Sequence, residues 1–186
     1  PPPSEDALFL ASCASQDLDV LREIVVANPD KLRLRDSWGY SPLSRVVAHG
    51  RLDVLQMFVT TVPECATQRL ADGSNILHYA ILHQHTPLIN YLLANFPILQ
   101  PQASTLGFYP SHYACMLRDE PVVRALLAGK LNMQDAVGVL SPVFLACFAE
   151  APRIVELLSA AGVSLEFSPL IGFTPYGFLA FSKNQT

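Results

Sequence analysis

Charged residues are scarce in this chain, and the basic ones form no cluster. Asp, Glu, Lys and Arg make up 15% of the 186 residues, against roughly 25% in typical soluble domains. Nucleic-acid binding normally needs a basic patch or stripe, and the basic residues here are scattered. The composition therefore argues against nucleic-acid binding. Because hydrophobic residues reach 51%, it also indicates that some apolar side chains lie on a surface.

Long apolar runs and a secretory leader are both missing. A membrane-spanning helix needs roughly 18 apolar residues, whereas the most apolar window, 137–149, is short and contains Pro142. We therefore expect no membrane insertion. The first residues, from Pro1 to Asp6, lack the basic start and apolar core of a signal peptide. They also lack an initiator Met, so we expect a piece of a longer protein that can carry further domains.

Signatures of catalysis and metal binding are absent from the sequence. No serine lies in a nucleophile elbow, and there is no phosphate-binding loop. His78, His83 and His85 come nearest to a zinc site, but spacings of five and seven residues do not align ligands on one helix face. No paired Cys-x-x-Cys or His-x-x-x-His motif accompanies them. The sequence predicts no enzyme activity, no metal and no cofactor.

What the chain does contain is an internal repeat, which is clearest in residues 73–80, GSNILHYA. With Asn75 as the marker, equivalent positions recur at intervals of 34, 34, 34, 32 and 33 residues. The markers are Ala7, Ser41, Asn75, Tyr109, Ser141 and Thr174. A period in the low thirties, with a glycine turn before a helix start, is typical of stacked helical repeats.

Prolines keep the same period and indicate where the helices begin and end. One set follows the marker directly, a second opens the second helix of a repeat, and a third follows that helix. The sets are Pro42, Pro110, Pro142 and Pro175; Pro87, Pro121 and Pro152; and Pro29, Pro63 and Pro97. Ser41, Ser141 and Thr174, which precede prolines of the first set, are good N-cap residues.

Cysteine is also scarce, and three of the four copies share one position of the repeat. Cys13, Cys115 and Cys147 each lie six residues after a marker, at a small inward position of the first helix. Equivalent positions on successive repeats lie about 10 Å apart, which is beyond disulfide reach. Cys65 is expected in a loop. We expect buried free thiols, and hence a reducing setting that is cytoplasmic or else nuclear.

The repeat resembles the G-x-T-P-L-H-x-A motif of the ankyrin-repeat family over nearly the whole chain. The segments that carry it are Ser41-Pro42-Leu43, Leu77-His78-Tyr79-Ala80, His112-Tyr113-Ala114, Ser141-Pro142 with Ala146, and Thr174-Pro175. The resemblance implies an all-α solenoid of stacked helix-turn-helix repeats joined by β-hairpin fingers, in a single domain over residues 1–186. The repeats fall at about 7–40, 41–74, 75–108, 109–140 and 141–173, with a truncated sixth at 174–186. Repeat one starts irregularly, as an N-terminal capping repeat does, and the finger of repeat five has an extra residue.

The resemblance also implies structural roles for several conspicuous residues. His78 and His112 are expected to brace neighbouring loops through hydrogen bonds. Asp36 is expected to form part of a turn. The finger glycines are expected to adopt a positive φ; they are Gly39, Gly73, Gly107 and Gly172.

The implied function is that of a non-catalytic protein–protein interaction module, which binds a partner segment in its concave groove. Carried over by position, the partner-binding residues are Trp38, Tyr40, Arg45, His49, Tyr79, His83, Leu106, Phe108, Tyr113, Met116, Leu117, Phe148, Ile171 and Phe173. They are mixed in polarity in repeats two and three and almost entirely apolar from repeat four onward. The expected partner is another protein, or an apolar peptide or helix segment.

Other interpretations stay open. Some of these side chains can simply pack one repeat on the next. The chain can also be the substrate-targeting arm of a larger enzyme or effector, which the flanking sequence would reveal. Finally, its apolar end can serve homo-oligomerisation or docking within a scaffold, which light scattering over a concentration series would detect.

Overall fold

The computed structural model describes residues 4–129 and 140–165. Within them, ten α-helices follow one another as five pairs, one pair for each of the first five repeats, so the all-α repeat fold is confirmed. Truncated repeat six, with Ile171, Phe173 and Gly172, lies outside the described residues, as does most of the finger of repeat five. The helices are α1 (Glu5–Ser12), α2 (Leu18–Ala27), α3 (Pro42–Ala48), α4 (Leu52–Thr61), α5 (Ile76–Leu82), α6 (Thr86–Asn95), α7 (Pro110–Met116), α8 (Glu120–Ala128), α9 (Pro142–Phe148) and α10 (Pro152–Ala160).

The helices belong to two compact units, Pro1–Leu99 with α1–α6 and Gln100–Thr186 with α7–α10. In the first unit α1 packs on α3, α3 on α5, and α2 on α4. In the second unit α7 packs on α9 and α8 on α10. The packing of α2 on α4 buries apolar side chains of these helices, so that Leu21 and Leu55 are fully buried. None of the described helices is long and apolar enough to cross a bilayer.

The first helices begin where the repeat markers place them, because polar side chains cap them. Ser41 and Ser44 form a reciprocal capping box at the start of α3, with N–H···Oγ distances of 3.1 and 2.8 Å. The Ser141 hydroxyl accepts a hydrogen bond from the Phe144 N–H at 3.1 Å at the start of α9. The predicted N-caps are thus confirmed at Ser41 and Ser141, while Thr174 lies outside the described residues.

The prolines occupy the helix starts that the sequence indicates, and one set also opens short 3-10 helices. Pro42, Pro110 and Pro142 are the first residues of α3, α7 and α9. The set expected to follow each second helix opens a short 3-10 helix instead of a loop, at Pro29–Arg33, Pro63–Thr67 and Pro97–Leu99. The expectation of a loop at Cys65 is therefore wrong, because this residue lies in the second of these 3-10 helices and is fully buried.

Three turns between repeats share one backbone geometry. In each, the first residue donates its N–H to the carbonyl of the fifth, and the glycine at the fourth position donates to the carbonyl of the first. The six N···O distances lie between 2.8 and 3.0 Å in the turns 36–40, 70–74 and 104–108. The glycines have φ of 82°, 72° and 84° at Gly39, Gly73 and Gly107, which confirms the expected positive φ there. The structure thus shows the turn of each expected finger, and in these three segments no β-ladder flanks it.

The cysteines are free thiols in the core. Cys13, Cys65 and Cys115 have no exposed surface, and Cys147 is 6% exposed. Burial raises the pKa of the first three thiols to about 12 and that of Cys147 to about 11. All four are therefore protonated at neutral pH and packed as small apolar side chains.

Candidate functional site

The first candidate surface, called the unit-1 face, carries six of the predicted site residues. They lie on the turn 36–40, on α3 and α5, and directly after these helices: Trp38, Tyr40, Arg45, His49, Tyr79 and His83. Trp38 is 80% exposed and Tyr40 is 39% exposed. The turn that carries them lies against the next one, because a Cβ built on Gly39 would be 2.6 Å from the Cβ of Ala71. The backbone of the turn that carries both aromatic residues therefore lies close against the next turn.

The Asp36 carboxylate accepts hydrogen bonds from three residues of the unit-1 face. Its Oδ1 accepts hydrogen bonds from the N–H groups of Trp38 and Tyr40, both at 2.9 Å. Its Oδ2 accepts a hydrogen bond from the Arg45 guanidinium at 2.6 Å. Burial alone would raise the pKa of this carboxyl, but the backbone and Arg45 hydrogen bonds outweigh it and lower the pKa. Asp36 is thus part of the turn, as expected, and it compensates the charge of Arg45.

A row of rings connects the turn 36–40 to the residues around the end of α5. The ring centroids of Tyr40 and Tyr79 are 6.0 Å apart in an edge-on arrangement, and those of Tyr79 and His83 are also 6.0 Å apart. His83 stacks on His85 at 6.2 Å. Partial burial, with His85 and His49 nearby, lowers the pKa of His83, so this ring is mainly neutral at pH 7.

His85 has a structural role that the sequence did not suggest. Its Nε2 lies 2.9 Å from the carbonyl oxygen of Ala48, which is the last residue of α3. The ring thereby joins repeats two and three inside the first unit. In the sequence, His85 stood out only as one of three weak zinc candidates. In residues 4–129 and 140–165 no group of His, Cys, Asp and Glu side chains is arranged to hold a metal ion.

His112 braces a neighbouring segment as expected, and His78 belongs to the capping box of its own helix. Nδ1 of His78 accepts a hydrogen bond from the Asn75 N–H at 3.2 Å, and this buried ring belongs to the capping box of α5. Nδ1 of His112 accepts a hydrogen bond from the Tyr109 N–H at 3.1 Å. Its Nε2 lies 3.0 Å from the carbonyl oxygen of Leu140. His112 thus braces the segment that enters repeat five.

The second candidate surface, called the unit-2 face, carries the other six described site residues. They lie on the turn 104–108, on α7, directly after α7 and at the end of α9: Leu106, Phe108, Tyr113, Met116, Leu117 and Phe148. Leu106 is 72% exposed, Phe148 75% and Met116 45%. The other three are half-buried. Phe108 packs edge-on against His112 at 5.6 Å and Tyr113 at 6.3 Å, so it supports the surface more than it projects from it.

One position of the repeat is exposed and apolar in three successive first helices. Leu82, Met116 and Phe148 are the last residues of α5, α7 and α9, seven residues after their markers. They are 43%, 45% and 75% exposed, respectively. Because α7 packs on α9, Met116 and Phe148 occupy the same place on neighbouring helices. The second unit therefore has an exposed apolar surface that the other described residues of this unit leave uncovered.

Comparison with known protein families gives one match. The family model for ankyrin repeats, in three copies, matches residues 8–102, which is about half of the chain and includes α3–α6. No curated protein matches the chain.

Proposed function

Because the chain belongs to the ankyrin-repeat family, whose members are generally non-catalytic protein–protein interaction modules, we propose that it binds a segment of a partner protein and catalyses no reaction. The side chains that make this contact lie on the turns and at the ends of the first helices. Neither a metal, a cofactor nor a nucleic acid takes part. The single solenoid domain over residues 1–186, with β-hairpin fingers and a concave groove, belongs to this proposal and rests on the family resemblance alone.

The observation that supports this proposal best is the exposure of large apolar side chains on the unit-2 face. Leu106, Met116 and Phe148 are each exposed by 45% or more. Soluble proteins rarely leave contiguous apolar surface open unless a partner covers it. An aromatic ring and an adaptable methionine are side chains that serve well as binding anchors. The proposed ligand is an extended or helical segment with two or three apolar side chains.

The unit-1 face is proposed to contribute a second, more polar contact. Trp38 and Tyr40 offer large rings with a polar group at one end, which suits the rim of an interface. Arg45 is paired with Asp36, and the pKa of His83 is lowered, so we assign no strong charge preference to this face.

The compartment proposed for this protein is the cytosol, with the nucleus as the alternative. Four free thiols buried in the core are in keeping with a reducing environment, where disulfides are rare.

The proposal is tested by comparing the intact chain with variants of the unit-2 face. Proteins captured by the intact chain are identified first, and the affinity for the captured protein is then measured by titration. Phe148→Ala and Met116→Ala should each weaken binding by roughly 1–3 kcal/mol if they are central. The stability of both variants should stay close to that of the intact chain, because both side chains are exposed.

Arg124→Ala on α8 is the matched control, since Arg124 is 60% exposed and pairs with Glu120 of the same helix at 2.7 Å. It should leave the affinity unchanged. If Arg124→Ala loses the partner while Phe148→Ala and Met116→Ala keep it, the unit-2 face is not the site. If the intact chain forms a dimer that Phe148→Ala dissociates in sedimentation, the homo-oligomer interpretation replaces this proposal.

A further inference from the structure

Repeat one exposes two apolar positions that are buried in every later described repeat. Leu8 is 55% exposed and Val20 is 39% exposed. The equivalents of Leu8 are all buried: Pro42, Ile76, Pro110 and Pro142. The equivalents of Val20 are at most 2% exposed: Val54, Leu88, Val122 and Ile154. The difference therefore lies in what covers these positions and not in their chemistry.

These side chains line a groove between α1 and α2. The groove has a volume of about 350 Å³, and Leu8, Phe9, Val20 and Ile24 form its apolar walls. Val20 and Ile24 are four residues apart on α2, so they form one stripe on that helix. The equivalents of Ile24 are fully buried: Phe58, Leu92, Leu126 and Leu158.

The groove is of the kind that a helix covers elsewhere in this chain. The matching stripe in repeat two consists of Val54 and Phe58 on α4. Both are fully buried, and α2 packs on α4. A capping repeat would instead carry a polar outer face. Repeat one has the irregular start of a cap, and half of the groove lining is polar, at Glu5, Ser12, Gln16 and Lys31, but the other half keeps the apolar side chains of a stacking surface.

The surroundings of the groove are acidic. Six acidic and two basic residues lie in residues 1–31, so this segment alone has a formal charge of −4, which equals that of the whole chain. The six acidic side chains are all exposed. Lys31 at the edge of the groove is paired with Glu5 at 2.9 Å and Asp6 at 3.5 Å, and Arg22 is paired with Asp19 at 3.0 Å. These pairs use both basic residues, and Asp30 is paired with Arg33 at 3.7 Å just outside this segment. The excess negative charge therefore lies at Asp17, at Glu23 and at Glu5 and Asp6, which share one lysine.

We propose that this N-terminal face, formed by Leu8, Val20, Ile24 and the acidic residues beside them, binds an amphipathic helix of a partner protein. The apolar stripe of that helix fills the groove between α1 and α2. Lys or Arg residues on either side of this stripe pair with Asp19 and Glu23. These two acidic residues directly precede Val20 and Ile24 in α2 and are four residues apart, so they lie on one side of that helix. This surface is separate from the unit-1 and unit-2 faces, and it does not depend on the function proposed for them.

The test uses a synthetic helical peptide of about 18 residues, long enough to be helical in a complex. Leu residues form one stripe, Lys residues occupy the other positions, and the peptide carries a fluorophore. A peptide with Glu in place of Lys is the charge control. Fluorescence anisotropy with the full 186-residue chain should show binding of the Leu/Lys peptide only. The affinity should fall as salt rises from about 0.05 to about 0.3 M.

Variants of the chain identify the surface that binds the peptide. The double change Leu8→Ser and Val20→Ser should lower the affinity at least about tenfold, and so should Asp19→Lys with Glu23→Lys. Val26→Ser is the matched control, because Val26 lies on the same helix, is 62% exposed and does not line the groove. Circular dichroism of each variant verifies that the helices remain. Phe148→Ala should leave the peptide affinity unchanged, which separates this face from the unit-2 face.

Three results would overturn the proposal. The first is that the Leu/Lys peptide does not bind or binds no better than the Leu/Glu peptide. The second is that the Leu8→Ser and Val20→Ser double variant binds as tightly as the intact chain, or that Val26→Ser loses as much affinity. The third is that the chain alone sediments as a dimer that the double variant dissociates, which would assign the face to a second copy.

Discussion

Removing the carboxylate of Asp36 should destabilise the fold measurably. Asp36→Ala abolishes two hydrogen bonds of 2.9 Å from backbone N–H groups and one of 2.6 Å from Arg45. Hydrogen bonds to charged groups contribute about 1.5–3 kcal/mol each, but the freed N–H groups lie on an exposed turn and regain water. We therefore expect the free energy of unfolding to fall by about 2–3 kcal/mol in total. Asp36→Asn keeps an acceptor oxygen and should lose about half as much.

Urea unfolding at pH 7, followed by far-UV circular dichroism, measures this loss. Trp38 is the only tryptophan of the chain and lies in the same turn, so its fluorescence follows the turn itself. Asp30→Ala is the control. Asp30 is 83% exposed and 3.7 Å from Arg33, and such surface pairs contribute at most about 1 kcal/mol.

The contribution of Asp36 to the free energy of unfolding changes with pH in a definite direction. The pKa of Asp36 is lowered in the folded chain, so its stabilisation is complete above the unfolded value of about 3.9. It is lost as the pH falls through the lower folded value. The difference in unfolding free energy between the intact chain and Asp36→Ala should therefore be constant from about pH 7 to about pH 5 and shrink below about pH 4. A loss no larger than that of Asp30→Ala, or a difference that persists in acid, would refute the reasoning.

Two further predictions concern the core and the turns. Changing Cys13, Cys115 and Cys147 together to Ala should cost roughly 1 kcal/mol of stability each and leave partner binding intact; rapid labelling of the native thiols would contradict their burial. Gly39→Ala and Gly162→Ala both place Ala at a positive φ, of 82° and 80°, but only the Cβ at residue 39 collides, at 2.6 Å from Ala71. Gly39→Ala should therefore lower the melting temperature more, and equal losses would contradict the close contact.

The helix starts could be predicted from the sequence because their signals are local. Ser41 followed by Pro42 combines an N-cap with a residue suited to the first helical turn, and α3 begins at Pro42. The 3-10 helix Pro63–Thr67 could not be predicted in the same way. A proline after a helix is also what a loop requires, and the burial of Cys65 that distinguishes the two depends on packing.

The sequence predicted which positions of each repeat carry the candidate site residues, but it did not predict the contacts of their side chains. The repeat placed Trp38 and Phe148 where the structure leaves them exposed. It did not reveal that Arg45 pairs with Asp36, because that contact depends on how the turn returns to α3. The expectation of a cap at repeat one did not reveal that Val20 lies exposed, since exposure depends on packing and not on the residue type.

The common geometry of the three turns bears on how the protein can diversify. The positions equivalent to Asp36 are Leu70 and Ser104, and yet all three turns make the same pair of main-chain hydrogen bonds. Backbone atoms and a glycine are therefore sufficient for the shape, while an Asp at the first position adds stability. Beside the glycine, Trp38 is 80% exposed and under little constraint from folding, whereas Tyr40 packs on Tyr79. Under the function proposed above, substitutions of Trp38 would change which partner is recognised at little thermodynamic cost. A library randomised at this position should therefore consist largely of folded proteins.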